Sequence, residues 1–492
     1  MLNKGICIII VLISVFALGC KKYKGAPSAP IKLPTREELT KDSIFLYAKE
    51  IYYWFDALPD YQTFMPGAKA NPDSTVSAIS RYKLNPKFNL NDPYNRNRYL
   101  DKYSFLDDGG LATELGGIGG DFGFSIFYND ANDLRVKYVY ENSPAALNGL
   151  KRGYQITKLN GRTDLNYNTA GSVDFVVNAI LSSSSSSLTM TVKANDGTTS
   201  DISFTKGTYA INPVIYKNVY SAGSKKVGYL VFNRFTTNAV TKLDEAFSYF
   251  ATNNINELIV DLRYNGGGSV ETAENIANYI VPSSQNGRVM SRTYFNQMMQ
   301  SGTATILKNQ KLRYNGQLVS LFDFDFTASG NTTNFTKKGS LNLRRVYFLV
   351  TGSTASASEL LINSLKPTID VKTIGRRTYG KPVGFFGVRI DKFDLYLAQF
   401  QTKNQLDEGD YFDGLPVDKD IFDDVTKDFG DPTEKLLQQA LNYATLGTFS
   451  SIDKGVTLKG SASMSDAKAA ELTSELDRNE FKGMIKSMLT GR

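Results

Sequence analysis

Glu257-Leu-Ile-Val-Asp261-Leu-Arg263-Tyr-Asn-Gly-Gly267-Gly-Ser269, running on into Val270-Glu-Thr-Ala-Glu-Asn-Ile-Ala-Asn-Tyr-Ile280, is the stretch whose reading decides the fold. A short apolar run, a glycine turn and an amphipathic helix follow one another directly. A strand apolar on both faces is what a sheet covered by helices on both sides requires. The same order recurs on either side: residues 227–232 read as a strand and 239–251 as a helix, then 346–350 as a strand and 356–365 as a helix. This alternation predicts an α/β core over residues 208–447.

Outward from that core the pattern changes. Residues 115–207 contain alternating runs at 122–127 and 134–139 and a short helix at 142–150. A strand at 153–161 closes on Asn160-Gly161, and a helix at 173–181 precedes a last strand at 188–192. This predicts a β-rich domain. Thr35-Arg-Glu-Glu38 has the form of a capping box, and the apolar spacing that follows predicts a helix over 35–55. With Pro59, Pro66, Pro72, Pro86 and Pro93 breaking the remainder, residues 35–114 read as a small helical domain. The expected fold class is therefore multidomain α+β.

The two ends read differently again. Residues 1–19 have a basic start and an apolar stretch over 8–17, the shape of a signal peptide. They end in Ala17-Leu-Gly-Cys20, similar to a bacterial lipobox, so Cys20 is the expected lipidation site and 20–34 a tether. That places the chain in a bacterial cell envelope, lipid-anchored to a membrane. Residues 448–492 are polar and weakly helical, and read as a tail.

Composition removes whole classes of chemistry. There is no histidine, so a Ser-His-Asp triad and any His-ligated metal are excluded. The two cysteines, Cys7 and Cys20, both lie in the leader, which leaves no thiol nucleophile in the body of the chain. A net charge of +7 without a basic block argues against nucleic acid as a partner. No cofactor or metal is expected. The acidic segment 418–424 lacks the glycine of a calcium loop and reads as a solvated acidic surface.

Two loops each follow a buried strand and precede a helix, where α/β sheets collect catalytic groups. The three glycines of 266–268 let the backbone turn N–H groups outward, which suits an anion, although most such turns are only turns. Thr351-Gly-Ser-Thr-Ala-Ser356-Ala357-Ser-Glu359 offers a serine at a helix start, read either as an N-cap or as a nucleophile beside backbone donors. Thr378-Tyr-Gly-Lys381 follows, and a lysine kept neutral by burial is the available general base in a chain without histidine.

These pieces, in this order, resemble the C-terminal processing peptidases, also called tail-specific proteases. The resemblance rests on Asp261-Leu-Arg-x-Asn-x-Gly-Gly268, on Ser356-Ala-Ser-Glu359, and on Gly380-Lys381, whose lysine lies 25 residues past Ser356. It extends upstream through Ser143-Pro-Ala-Ala-Leu-Asn-Gly149 to Leu159-Asn-Gly161, the pattern of that family's PDZ domain. It implies that 115–207 is a PDZ-like domain and 208–447 a Ser-Lys peptidase core. It implies Ser356 as nucleophile and Lys381 as base, with the N–H groups of Ala357 and Gly267 as oxyanion donors. It further implies that Phe122, Gly123 and Phe124 bind a substrate's terminal carboxylate, so that the partners are polypeptides with free, apolar C-termini. The chain departs from the family at Phe385, where many members carry a glutamine that holds the lysine amine. Either another acceptor orients Lys381 or activity is low; the competing reading is an inactive peptide- or ligand-binding lipoprotein on the same scaffold.

Overall fold

The computed structural model describes residues 33–92, 95–182, 184–314, 316–450, 468, 471–472, 475–477 and 480–488. The leader, Cys20 and most of the tether lie outside the described residues. Thr35 and Glu38 form the capping box that starts helix α1 (Arg36–Ile51), which ends short of residue 55 because the chain turns extended at Tyr52. Its Ile44, Phe45, Ala48 and Ile51 are wholly buried, in the same apolar cluster as Leu230, Val260, Phe348 and Leu361 further along the chain. Phe105–Asp107 also pairs antiparallel with Phe393–Tyr396. The N-terminal helices and the α/β core therefore share one hydrophobic interior.

Within 115–207 a five-stranded antiparallel sheet runs in chain order through β1 (Phe124–Asp130), β2 (Asp133–Val139), β3 (Gln155–Leu159), β4 (Ser187–Lys193) and β5 (Thr199–Thr205). Helix α2 (Ser172–Ile180) buries Val176, Val177 and Ile180 in the cluster that this sheet encloses. The strand at 188–192 is not the last one, contrary to the sequence expectation. The edge strand β5 reads Thr-Ser-Asp-Ile-Ser-Phe-Thr and fully buries only Phe204, too little apolar alternation to announce a strand.

The core is a six-stranded sheet. Its members are β6 (Val214–Ala222), β7 (Lys225–Phe232), β8 (Glu257–Asp261), β10 (Arg345–Val350), β11 (Asp370–Gly375) and β12 (Lys419–Asp420), with β9 (Gly267–Ser269) standing outside it. The spatial order is β12-β11-β10-β8-β7-β6, parallel throughout except for β6. Helices α3 (Ala239–Thr252), α4 (Val270–Ile280) and α5 (Ala357–Leu365) pack on the face presenting Leu230, Val260 and Phe348. Helix α6 (Lys435–Leu446) covers the other face at Tyr229, Ile259 and Tyr347. Both faces are apolar because successive side chains point to opposite sides.

Two expectations are overturned here. The tail is not simply polar: Gly483–Ile485 forms a strand, β13, parallel to β9 in the register Gly267↔Gly483, Gly268↔Met484 and Ser269↔Ile485. A tripeptide of which only two residues are strongly apolar carries no periodicity, so its partner alone reveals it. The acidic segment is not solvated throughout, since Asp423 is buried and ion-paired to Arg263 (2.6 Å) and Arg152 (3.3 Å).

Candidate active site

Strands β8, β10 and β11 are adjacent and parallel, so the loops leaving them emerge on one edge of the sheet and meet there. Thr354 Oγ1 donates to the Leu262 carbonyl (2.7 Å), while the Ala355 N–H and Ser358 Oγ both donate to the Asn265 carbonyl (3.0 Å each). Tyr379 N–H donates to the Thr354 carbonyl (3.0 Å). The glycine loop, the serine loop and the lysine loop are thereby bonded to one another.

Ser356 sits at the turn into α5 with φ 60° and ψ −106°. A non-glycine residue in so sparsely populated a region costs on the order of 1–3 kcal/mol and persists only where its surroundings enforce it. Glu359 supplies the enforcement. Its Oε2 accepts the Ser356 N–H (2.8 Å) and the Lys381 N–H (2.8 Å), while Oε1 accepts the Gly380 N–H (2.7 Å) and Thr378 Oγ1 (2.5 Å). One carboxyl group thus joins the backbones of the serine and the lysine. Burial pushes this carboxyl above its ordinary value, against the pull of those four hydrogen bonds. The sequence signal for it was the Ser-Ala-Ser-Glu spacing of a helix start, which gives no hint that the same carboxyl reaches Lys381. Ser356 Oγ is buried and has no hydrogen-bond partner among the described residues.

Lys381 is fully buried, and burial pushes its ammonium well below the ordinary lysine value. Asp101 and Glu359 act against the shift, and the nearby positive charges of Lys102 and Lys482 add to it. Its Nζ lies 3.8 Å from the centre of the Phe385 ring and donates to the Lys482 carbonyl at 2.5 Å. The acceptor that Phe385 cannot provide is thus a backbone oxygen of the C-terminal segment. Asp101, Lys102 and Tyr103 close the pocket: Tyr103 OH donates to the Gly380 carbonyl (2.5 Å), and Lys102 Nζ to the Tyr379 carbonyl (2.9 Å). Nothing in the sequence tied residues 101–103 or 481–483 to Lys381, because those contacts span about 280 and 100 positions of chain.

The two expected oxyanion donors are not equally placed. Gly267 N–H is engaged by Asn265 Oδ1 (2.9 Å), so it is not a free donor in this arrangement. Its φ of 108° demands glycine, and a Cβ there would stand 3.1 Å from Ala357 N and collide with the Gly483 carbonyl oxygen. The absent side chain is what lets the Gly483 carbonyl approach the glycine loop beside Ala357. Arg263 lies 1 % exposed between Asp261 (2.7 Å), Asp423 (2.6 Å) and Glu434 (2.9 Å), which anchors the root of the loop. Phe122, Gly123 and Phe124 belong to the five-stranded unit. The two rings are buried, and Gly123 N–H already donates to Asp121 Oδ1 (2.8 Å), where a substrate carboxylate would have to displace it.

The model of the family described as Peptidase family S41 matches residues 226–421, the span holding all three loops. Over that span the chain is similar to peptidase family S41. The S41 region extends into similarity with a carboxyl-terminal-processing protease of Picosynechococcus, 25% identical over 294 residues, covering 59% of this chain and 60% of that one. A CtpA-like serine protease of Staphylococcus aureus is 24% identical over 357 residues, covering 69% of this chain and 63% of the relative. The chain thus spans less than two thirds of the length of these curated relatives. Among solved structures, an S41 protease from Bacteroides fragilis superposes with a TM-score of 0.55 at 22% identity, covering 84% of this chain and 98% of that one, which shows a shared fold.

Proposed function

We propose that this chain is an S41-type serine endopeptidase in which Ser356 is the nucleophile and Lys381 the general base. The observation that carries the reading is the Glu359 carboxyl, which holds the strained Ser356 and the buried Lys381 in one hydrogen-bonded frame. A neutral Lys381 amine, turned from the Lys482 carbonyl toward Ser356 Oγ, takes the hydroxyl proton as Oγ attacks a peptide carbonyl. The Ala357 N–H, at the positive end of α5, stabilises the oxyanion; such a donor contributes roughly 3 kcal/mol. Lysine then protonates the leaving amine, and water resolves the acyl-enzyme.

In this reading residues 115–207 act as a PDZ-like module that selects polypeptides by an apolar C-terminus, and Cys20 anchors the chain in a cell envelope. The test incubates the chain, Ser356→Ala and Lys381→Ala with an unfolded protein ending in apolar residues, and with the same protein ending in Asp-Asp. Cleavage by the parent alone, favouring the apolar tail, is expected. Cleavage that survives Ser356→Ala sinks the nucleophile assignment, and equal cleavage of both tails sinks the selection. Incorporation of a clickable fatty acid, lost in Cys20→Ala, checks the anchor.

A further inference from the structure

A peptidase has to admit an extended polypeptide, yet Ser356 and Lys381 are both fully buried. A cavity of about 1070 Å³ opens nearby, lined by Tyr103, Lys137, Ser353, Tyr379, Phe481 and Lys482 among others, and neither Ser356 nor Lys381 reaches its wall. Part of that wall is the C-terminal segment. Its course is that of a bound strand: Gly483 N–H donates to the Gly266 carbonyl (3.0 Å) on one side. On the other, Phe385 N–H donates to the Met484 carbonyl (3.0 Å), and Lys486 N–H to the Phe385 carbonyl (2.9 Å). Residues 483–486 are therefore gripped through main-chain bonds from both flanks, as in strand addition. The Lys482 carbonyl takes the lysine amine, and the Gly483 carbonyl lies against Gly267, whose missing Cβ makes room for it.

We infer that residues 481–486 occupy, in cis, the groove in which a substrate polypeptide is held, so that the C-terminal segment is an intramolecular inhibitor of Ser356. This rests on the Ser356–Lys381 reading above. The segment also reports what the groove accepts. Met484 is fully buried beside Thr402 Oγ1 (3.9 Å from Sδ), and a Cβ on Gly384 would lie 2.6 Å from its Cγ, so the subsite is shaped around an unbranched apolar side chain. The segment is anchored away from the groove. Leu472 and Leu476 bury in the apolar cluster of the five-stranded unit, and Lys137 binds Asp477 (2.9 Å) and Glu480 (3.3 Å). Ser125 Oγ donates to Glu480 (2.7 Å), and Ser353 Oγ to Asp477.

The experiment uses the full chain with Met484→Asp, which places a charge in the apolar subsite and ejects the strand. Two readouts are taken: the rate at which a fluorophosphonate labels Ser356, and, in a Ser356→Ala background, binding of a fluorescent peptide Phe-Lys-Gly-Met-Ile-Lys. Both are expected to rise by roughly tenfold or more when the competing segment is released. Unchanged peptide binding, or labelling that falls, overturns the inference and makes the segment a fixed part of the site. Stronger peptide binding with no labelling of any form keeps the occluded groove and sinks the peptidase reading instead. Should Met484→Asp unfold, hydrogen exchange on the Ser356→Ala chain decides. The Gly483 and Lys486 amides are expected to lose protection when an unfolded polypeptide is added in excess, and persistent protection overturns the inference.

Discussion

The C-terminal segment meets two buried lysines within six residues, and their affinities for the proton shift in opposite directions. In the five-stranded unit it offers Lys137 two carboxylates, Asp477 and Glu480. Burial alone would lower Lys137, but those carboxylates outweigh it and lift the ammonium above its ordinary value. In the core it offers Lys381 the Lys482 carbonyl and the Lys482 charge but no carboxylate, and with Asp101 and Glu359 too weak to compensate, burial prevails and the amine falls well below its ordinary value. Equal burial therefore accompanies a stabilised cation in one place and, in the proposed reading, a base in the other. What decides is direct contact: Asp477 and Glu480 accept from Lys137 Nζ, whereas among the described residues Lys381 Nζ bonds a carbonyl and neither Asp101 nor Glu359.

The largest expected effect sets the two lysines against each other. Lys381→Met is expected to slow fluorophosphonate labelling of Ser356 by roughly 10²–10⁴-fold, the usual contribution of a general base, without loss of thermal stability. Lys137→Met takes the cation from the buried Asp477 and the partly exposed Glu480, and breaking a buried pair costs about 3–5 kcal/mol. Its expected outcome is a lower melting temperature and a loosened C-terminal segment, with labelling retained or increased. Lysines that responded alike in both measurements would break the comparison.

An intermediate effect concerns pH. Lys381 is the active base only above its depressed value, so labelling should fall about tenfold per pH unit as pH drops through it. The sign for stability follows: between that value and the ordinary 10.5 the unfolded chain binds a proton that the folded chain does not, so stability rises with pH across this window. For Asp477, which Lys137 holds below the ordinary carboxylate value against the effect of burial, stability is present above that ordinary value and is lost as pH falls through the depressed one. Melting curves from pH 3 to 10 would read both limbs, and a flat profile at the alkaline end would contradict the Lys381 assignment.

The smallest effect sharpens the lysine pocket. Burial lowers Lys102 to about 8, and its charge is among the influences depressing Lys381. Lys102→Met should move the acid limb of labelling upward by less than about one pH unit, the scale of a single neighbouring charge. A shift downward would mean that Lys102 acts on Lys381 through packing instead.

The amino-acid sequence by itself determined the α/β core. Runs such as Glu257–Asp261 and Val270–Ile280 carry their secondary structure in local spacing, and glycine turns between strand and helix mark where the loops emerge. The absence of histidine removed the commonest serine bases, and the 25-residue interval that resembles the C-terminal processing peptidases made Ser356 and Lys381 the candidates. Only the tertiary structure decided how those two are held. The Glu359 carboxyl reaches Lys381 across 22 positions and Thr378 across 19, and the Lys482 carbonyl reaches Lys381 across 101. Gly483–Ile485 becomes a strand because the Gly266–Ser269 edge and Phe385 supply hydrogen bonds on both sides, whereas its own residues show no alternation. Burial, which the two lysines share, and charge pairing, which separates Lys137 from Lys381, are properties of a surrounding volume built from distant segments, and no local pattern records them.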